Sequence, residues 1–407
     1  MPGIWNALKN QPNFGVGTML LLTDGTVMAQ NSGTSHWWRL TPDATGSYQN
    51  GTWSQLADGP NAPLYFASAV LRDGRVFVAG GADPSNNTQG IAQANIFDPA
   101  TRLWSAAASM AQTRWYPTVT CLPDGRVLVV SGSQLTGTDY VTVPEIYNAT
   151  TNTWSRLTSL SASIPYYPHN FVLPDGRVLE ASTFGQPIAS DVLTISPQKR
   201  TVVDSRLLDG GSAVMYLPGK IMKSGTATAN NGSTSPSAAT TYVLDMTAAT
   251  PAWQQTASMQ YARAYHTLTI LPDGKVLVTG GGGTRDSTDV ADAVDPAEIW
   301  SPQSQTWTTV ASMQTPRLYH STALLLPDGR VLVAGGGRNF RSSLKELNAE
   351  IYSPPYLFNG PRPAITTIGG TATAKTKAAG SAASPKSAPR RAPSARSGSL
   401  LLLRESR

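Results

Sequence analysis

Short apolar runs broken by an Asp-Gly pair recur along the chain at nearly constant spacing. The pairs begin at Asp24, Asp73, Asp124, Asp175, Asp273 and Asp328, and Pro218-Gly219 fills the gap in the fifth copy. Each pair is preceded by an apolar stretch ending in Leu (Leu22, Leu71, Leu122, Leu173, Leu271, Leu326) and followed by another, such as Val127–Val130, Val276–Thr279 or Val331–Ala334. Continuous rather than alternating apolar runs suit strands buried on both faces. The spacing predicts seven β-hairpins, with Asp-Gly supplying the positive-φ positions of a type I′ turn. Glycine clusters follow the second strand, at Gly80-Gly81, Gly280–Gly283 and Gly335–Gly337, where backbones are expected to approach closely.

Two more strands complete each repeat. One carries Ile-Phe, Ile-Tyr or Ile-Trp (Ile96, Ile146, Ile299, Ile351), and the next carries a tryptophan (Trp53, Trp104, Trp154, Trp253, Trp307). Those tryptophans precede the next turn aspartate by 20 or 21 residues, and Trp5 precedes Asp24 by 19. The N-terminal strand is therefore an outer strand with no blade before it, while the last repeat, ending near Phe358, lacks one. Repeats of about 50 residues with four strands each read as propeller blades. The expected fold is all-β: a seven-bladed β-propeller over residues 1–360, closed by the N-terminal strand so that no long edge is exposed.

The remaining composition adds limits. A single cysteine, Cys121, excludes an intrachain disulfide. No apolar run reaches 18 residues, so no membrane span is expected, and the N-terminus shows no signal-peptide pattern. Asn-x-Ser/Thr sequons stand at Asn50, Asn86, Asn148 and Asn231. Eight of the 31 Lys and Arg and one of the 25 acids lie beyond residue 370, which leaves 23 basic against 24 acidic side chains before it. The formal charge of +6 thus belongs to the last segment, and nothing in the propeller marks a nucleic-acid surface. Residues 371–407, rich in Ala, Ser, Pro, Lys and Arg, are expected to be a disordered basic tail.

Histidine is scarce: His36, His169, His266 and His320. His320 lies eight residues before Asp328, His266 seven before Asp273, His169 six before Asp175, and Tyr116 eight before Asp124. This is the entry to the innermost strand, and in a propeller all such entries converge on one end of the central channel. Tyr116, His169, Tyr265, His266, Tyr319 and His320 are therefore expected to share one region, with Arg114, Arg263 and Arg317 at matching offsets. Phenol and imidazole together suit copper(II) or iron(III). Repeated blade packing explains the same pattern, because repeats copy residues without copying function.

Three segments carry a resemblance. Arg114-Trp115-Tyr116-Pro117, the run from Arg317-Leu318-Tyr319-His320-Ser321 to Val331, and the run from Glu350 to Pro363 resemble the galactose oxidase and glyoxal oxidase family of copper radical oxidases, which have a kelch-type propeller. The resemblance covers about residues 10 to 366. It implies one copper held by two tyrosines and two histidines, with Tyr116 as the radical-bearing ligand, Tyr319 as axial ligand and catalytic base, and His320 as equatorial ligand. It implies oxidation of a small primary alcohol or aldehyde with O2 to give H2O2, and an extracellular protein.

The chain departs from the family pattern in three places. The family's cross-linked cysteine should precede the second inner strand, where this chain has Leu64-Tyr65-Phe66. Cys121 lies five residues from Tyr116 on what should be one strand, and the odd offset turns it to the opposite face, so no Tyr-Cys cross-link is expected. The second histidine should come from a C-terminal β-sandwich domain. Residues 361–370 read as the remnant of its first strand, and no histidine follows His320. His266 is the candidate substitute ligand. An aromatic shield is expected shortly after the third hairpin, where Ser131-Gly132-Ser133-Gln134 has none. The resulting expectation is a divergent copper oxidase, impaired or inactive in this form. The alternative is a non-catalytic propeller that binds a glycan or protein.

Overall fold

The computed structural model describes residues 1–360 apart from 62, 136, 138, 228–234, 286–288 and 337–345. Among these residues it contains seven four-stranded antiparallel sheets and, besides strands, only short 3-10 turns. The first six blades run in chain order from an inner to an outer strand, as in blade 3: Thr118–Cys121, Val127–Val130, Glu145–Asn148, Thr153–Arg156. Blade 2 differs by an inserted hairpin, Ala82–Asp83 with Asn86–Gly90. The second strands are buried at every position in blades 2, 3, 6 and 7, which is why they read as continuous apolar runs. The core lies between blades: Ala67, Phe77 and Ile96 of blade 2 pack on Val119, Val127, Val129 and Tyr147 of blade 3. The expected remnant at 361–370, the tail at 371–407 and Asn231 lie outside the described residues.

Ring closure follows the tryptophan register. Ile4–Ala7 pairs with Ala349–Ser353 as the outer strand of blade 7, with Trp5 opposite Tyr352. Trp5 donates its indole N–H to the Ala311 carbonyl of blade 6 at 2.8 Å. Trp104 and Trp154 make the equivalent bond to the preceding blade, at Ala57 and Ala108. Trp5 thus does for blade 7 what an outer-strand tryptophan does elsewhere, although it comes from the opposite end of the chain.

The hairpin turns correct one expectation. Only the glycine takes a positive φ, for example +82° at Gly25 and +87° at Gly125, while the aspartates do not. The Gly25 amide bonds back to the Leu22 carbonyl at 3.0 Å, and the Leu22 amide to the Thr26 carbonyl at 2.9 Å. This is a three-residue loop, a type I turn followed by a glycine bulge, not a type I′ turn. The aspartate is selected for its carboxylate: Asp24 accepts the Thr26 amide at 2.9 Å, and Asp124 accepts the Arg126 amide at 3.0 Å.

A buried ion pair secures three blade entries. Arg114 meets Glu145 at 2.9 Å, Arg263 meets Glu298 at 3.0 Å, and Arg317 lies 3.7 Å from Glu350. Arg114 also donates to the Ser131 and Val143 carbonyls at 2.7 Å. Glu145 accepts the Ala111 amide at 2.7 Å. The pair is therefore surrounded by hydrogen bonds that offset its desolvation, and it clamps the segment leading to Tyr116. The glycine clusters serve the same junction: a Cβ on Gly280 would sit 2.3 Å from the Arg317 carbonyl of the next blade.

Candidate metal centre

Five blades enter their inner strand through a residue in the left-handed region: Tyr65, Tyr116, Tyr167, Tyr265 and His320, with φ between +45° and +68°. All five lie eight residues before their turn aspartate. A bulky residue held at positive φ costs about 1–3 kcal/mol and persists only where its surroundings over-determine it. Here neighbouring blades hold each other. The Tyr116 amide donates to the Tyr65 carbonyl at 3.1 Å, and the Tyr167 amide donates to the Tyr116 carbonyl at 3.2 Å. The left-handed turn aims these side chains across the channel mouth. There Tyr116, Tyr265, Tyr319 and Phe184 form one buried cluster bordered by Tyr65, Trp115, Tyr166 and Tyr167.

Within it the hydroxyls of Tyr116 and Tyr319 are 2.7 Å apart. Tyr116 is enclosed on both faces, with Trp115 stacked at 3.8 Å and 8° and Tyr167 at 4.7 Å and 22°. His320 stacks on Tyr319 at 3.6 Å and lies 5.4 Å from the Tyr65 ring. A small recess beside this group is lined by Gln30, Ser32, Leu64, Tyr65, Tyr167 and, at its floor, Tyr319 and His320. Burial pushes both phenols well above their ordinary range. Each phenol also disfavours ionisation of the other, because the hydroxyls share one hydrogen bond inside this buried cluster.

Two histidines expected in this group point elsewhere. His266, seven residues before its aspartate, is buried against blade 5, where its Nε2 meets the Ser224 hydroxyl at 3.0 Å. Burial first, then Arg263 and His169, depress it to about 3. His169, six residues before its aspartate, turns its Nδ1 to the Ser182 hydroxyl at 2.8 Å. One or two residues of offset thus separate channel-wall histidines from mouth residues. His36 is exposed and pairs with Asp58 at 2.8 Å. Holding the offset at eight would also have found Tyr65 and Tyr167.

The donor set fits copper in kind: two phenols and one imidazole meet at one place, while among the described residues no group of three His, Cys, Asp or Glu does. Cys121 packs between blades 2 and 3, with its Sγ 3.5 Å from the Val70 carbonyl. The position expected to carry a cysteine holds Tyr65, whose ring meets Tyr116 edge-on at 4.5 Å. The third-blade stretch does lack an aromatic residue, but Trp115, next to Tyr116 in the chain, covers that ring.

Residues 190–356 match the family model described as glyoxal oxidase N-terminus, and residues 114–161 match the kelch motif. A galactose oxidase of Gibberella zeae is 27% identical over 322 residues, covering 72% of this chain and 46% of the relative. An aldehyde oxidase of Arabidopsis thaliana is 28% identical over 286 residues, covering 61% and 46%. The chain thus spans about half the length of these relatives. The fold is also that of a fungal alcohol oxidase of the AA5 family solved in complex with copper, with a TM-score of 0.70 at 20% identity over 88% of this chain and 77% of that one. By these sequence matches, spread over most of the propeller, the chain is similar to galactose oxidases and glyoxal oxidases.

Proposed function

We propose that this propeller is the copper-holding part of an oxidase that converts a small primary alcohol or aldehyde with O2, giving H2O2. The observation that carries the reading is the Tyr116–Tyr319 contact at 2.7 Å with His320 stacked beside it. Tyr116, Tyr319 and His320 would hold the ion. His266 would be the substitute fourth donor through its Nδ1, which is buried without a hydrogen-bond partner among the described residues while its Nε2 meets Ser224. Copper supplies a Lewis acid for the substrate oxygen and a one-electron acceptor.

The chain's own groups divide the remaining work. The recess lined by Leu64, Tyr65, Tyr167, Tyr319 and His320 has room for about one water molecule, so substrate would reach Tyr319 and His320 by displacing it and parting these side chains. Tyr319, which lines the recess, would take the substrate hydroxyl proton at its oxygen once the bound ion has displaced its own. Tyr116, hydrogen-bonded to Tyr319, would take the hydrogen atom from the substrate carbon as a phenoxyl radical, after O2 as oxidant has removed its electron and proton; the substrate's second electron would go to copper(II), and O2 would carry both away as H2O2. Stacking by Trp115 and Tyr167 excludes water from that ring. Without a thioether Tyr116 is harder to oxidise, so turnover is expected to be slow. We place the protein outside the cell by analogy with the family's extracellular enzymes, with no nucleic acid or membrane as partner. No helix among the described residues is long and apolar enough to cross a membrane. The glycan- or protein-binding alternative is not carried forward, since no observation favours it.

The test is copper stoichiometry after loading with copper(II) and desalting, followed by peroxide release with alcohols and aldehydes. About one copper per chain, lost in His320→Ala and accompanied by peroxide, is the expected result. Equal copper retention in wild type and variant would overturn it.

A further inference from the structure

From the tyrosine pair a continuous file of oxidisable rings leads to the surface. Tyr116 lies flat on Trp115 at 3.8 Å. Trp115 meets Tyr166 edge-on at 5.1 Å, and Tyr166 meets Tyr140 edge-on at 5.0 Å. Tyr140 is half-exposed, next to exposed Asp139. We propose that Tyr116, Trp115, Tyr166 and Tyr140 form an electron relay that lets a soluble one-electron donor re-reduce an oxidised Tyr116 without entering the recess. This rests on the reading that Tyr116 is oxidised during turnover.

Three features separate a relay from ordinary aromatic packing. Every ring on the path is a Tyr or Trp, whereas Phe184, which has no accessible oxidation, lies off it beside Tyr265 and Tyr319. Electron transfer falls off exponentially with the gap between rings, and rings in van der Waals contact leave almost none. Phenols also need somewhere to place a proton when they lose an electron. Tyr116 has the Tyr319 oxygen at 2.7 Å. The Tyr166 hydroxyl donates to the Gly137 carbonyl while accepting the Gly137 amide at 2.9 Å.

The balance closes. An electron from Trp115 refills the oxidised Tyr116, whose oxygen takes the Tyr319 proton across their hydrogen bond, and Tyr319 is reprotonated from solvent through the recess it lines. Tyr166 refills Trp115 and loses its hydroxyl proton to solvent at this partly exposed site, and Tyr140 refills Tyr166, which regains a proton from solvent. Tyr140 takes one electron from a reductant of the phenol or ascorbate class and regains its proton from solvent. One oxidising equivalent is removed at Tyr116 and one donor molecule is oxidised at the surface.

The test runs the file in reverse in copper-free protein, so its outcome does not depend on metal binding. A ruthenium tris-bipyridyl label is attached to an Asp139→Cys variant in a Cys121→Ser background and oxidised by flash-quench with ruthenium(III) hexaammine. A transient tryptophan-radical absorption is expected. It should disappear in Trp115→Phe and form at least tenfold more slowly in Tyr166→Phe and in Tyr140→Phe. The Tyr140→Phe change is at a half-exposed site and leaves the buried cluster intact. No tryptophan transient, or one unchanged by Trp115→Phe, would sink the relay while leaving the copper reading to its own stoichiometry test.

Discussion

The hydroxyls of Tyr116 and Tyr319 meet at 2.7 Å across 203 residues of sequence, in a site that raises both phenols well above their ordinary pKa. At neutral pH both are therefore protonated, and a divalent cation must displace protons to bind there. Copper affinity should rise with pH by about tenfold per unit for each proton released. Titration against a competing chelator between pH 6 and 8 measures the slope. Tyr319→Phe should lower affinity by at least about tenfold and reduce the slope by one proton. A slope unaltered in that variant would mean copper sits elsewhere.

His266 makes the fold acid-sensitive in a defined window. Its folded-state pKa is about 3, against 6.5 for the free side chain, chiefly because burial disfavours the charged ring. A depressed pKa means the unfolded chain binds the proton first. Its contribution is complete above pH 6.5 and is lost as pH falls toward 3, on the order of 1.4 kcal/mol per pH unit. His266→Gln keeps a hydrogen-bonding group near Ser224 and removes the titration. Denaturant unfolding of both proteins from pH 7 to 4 should give a difference curve that narrows as pH falls. Parallel curves would show that His266 is protonated without cost in the folded state.

Closure by the N-terminal strand yields a stability prediction. Trp5 is 5% exposed, rests on Tyr352 at 4.8 Å and bonds to Ala311 in the preceding blade. Trp5→Ala should cost about 3–5 kcal/mol. It should also expose blade 7 first, so that amide exchange accelerates in Ala349–Ser353 before it does in blade 3. Uniform acceleration in all blades would argue that the ring opens as one unit and has no seam.

Much of this architecture was legible because a repeat reports on itself. The Asp-Gly and Trp intervals predicted seven blades and the role of Trp5, since both are enforced by the same local chemistry in each copy. The turn type was misassigned because Asp-Gly fits more than one hairpin, and only the backbone distinguishes a type I turn with a glycine bulge from type I′. Tyr116, Tyr319 and His320 were found through the Arg-x-Tyr segments. Tyr65 and Tyr167 were missed because chemistry was sought at histidines, and the left-handed φ that unites five entry residues leaves no mark on composition. Trp115 was overlooked for a similar reason. Its stacking on the adjacent Tyr116 depends on that φ, which folds two neighbouring side chains to the same side.

The Arg114–Glu145 pair is where blade packing and the candidate centre meet. Both side chains are fully buried, and Arg114 is tied to the Ser131 and Val143 carbonyls two residues before Tyr116. Arg114→Met would leave Glu145 buried without its cation, at a cost of about 3–5 kcal/mol. Arg114→Met with Glu145→Met removes both charges and should recover most of that loss, because the desolvation penalty goes with them. The two variants should still differ from wild type at the metal, since neither restores the bonds to Ser131 and Val143 that fix the approach to Tyr116. Chemical denaturation gives the first comparison and copper affinity the second. A double variant with wild-type copper affinity would show that the left-handed turn at Tyr116 holds its ring in place unaided.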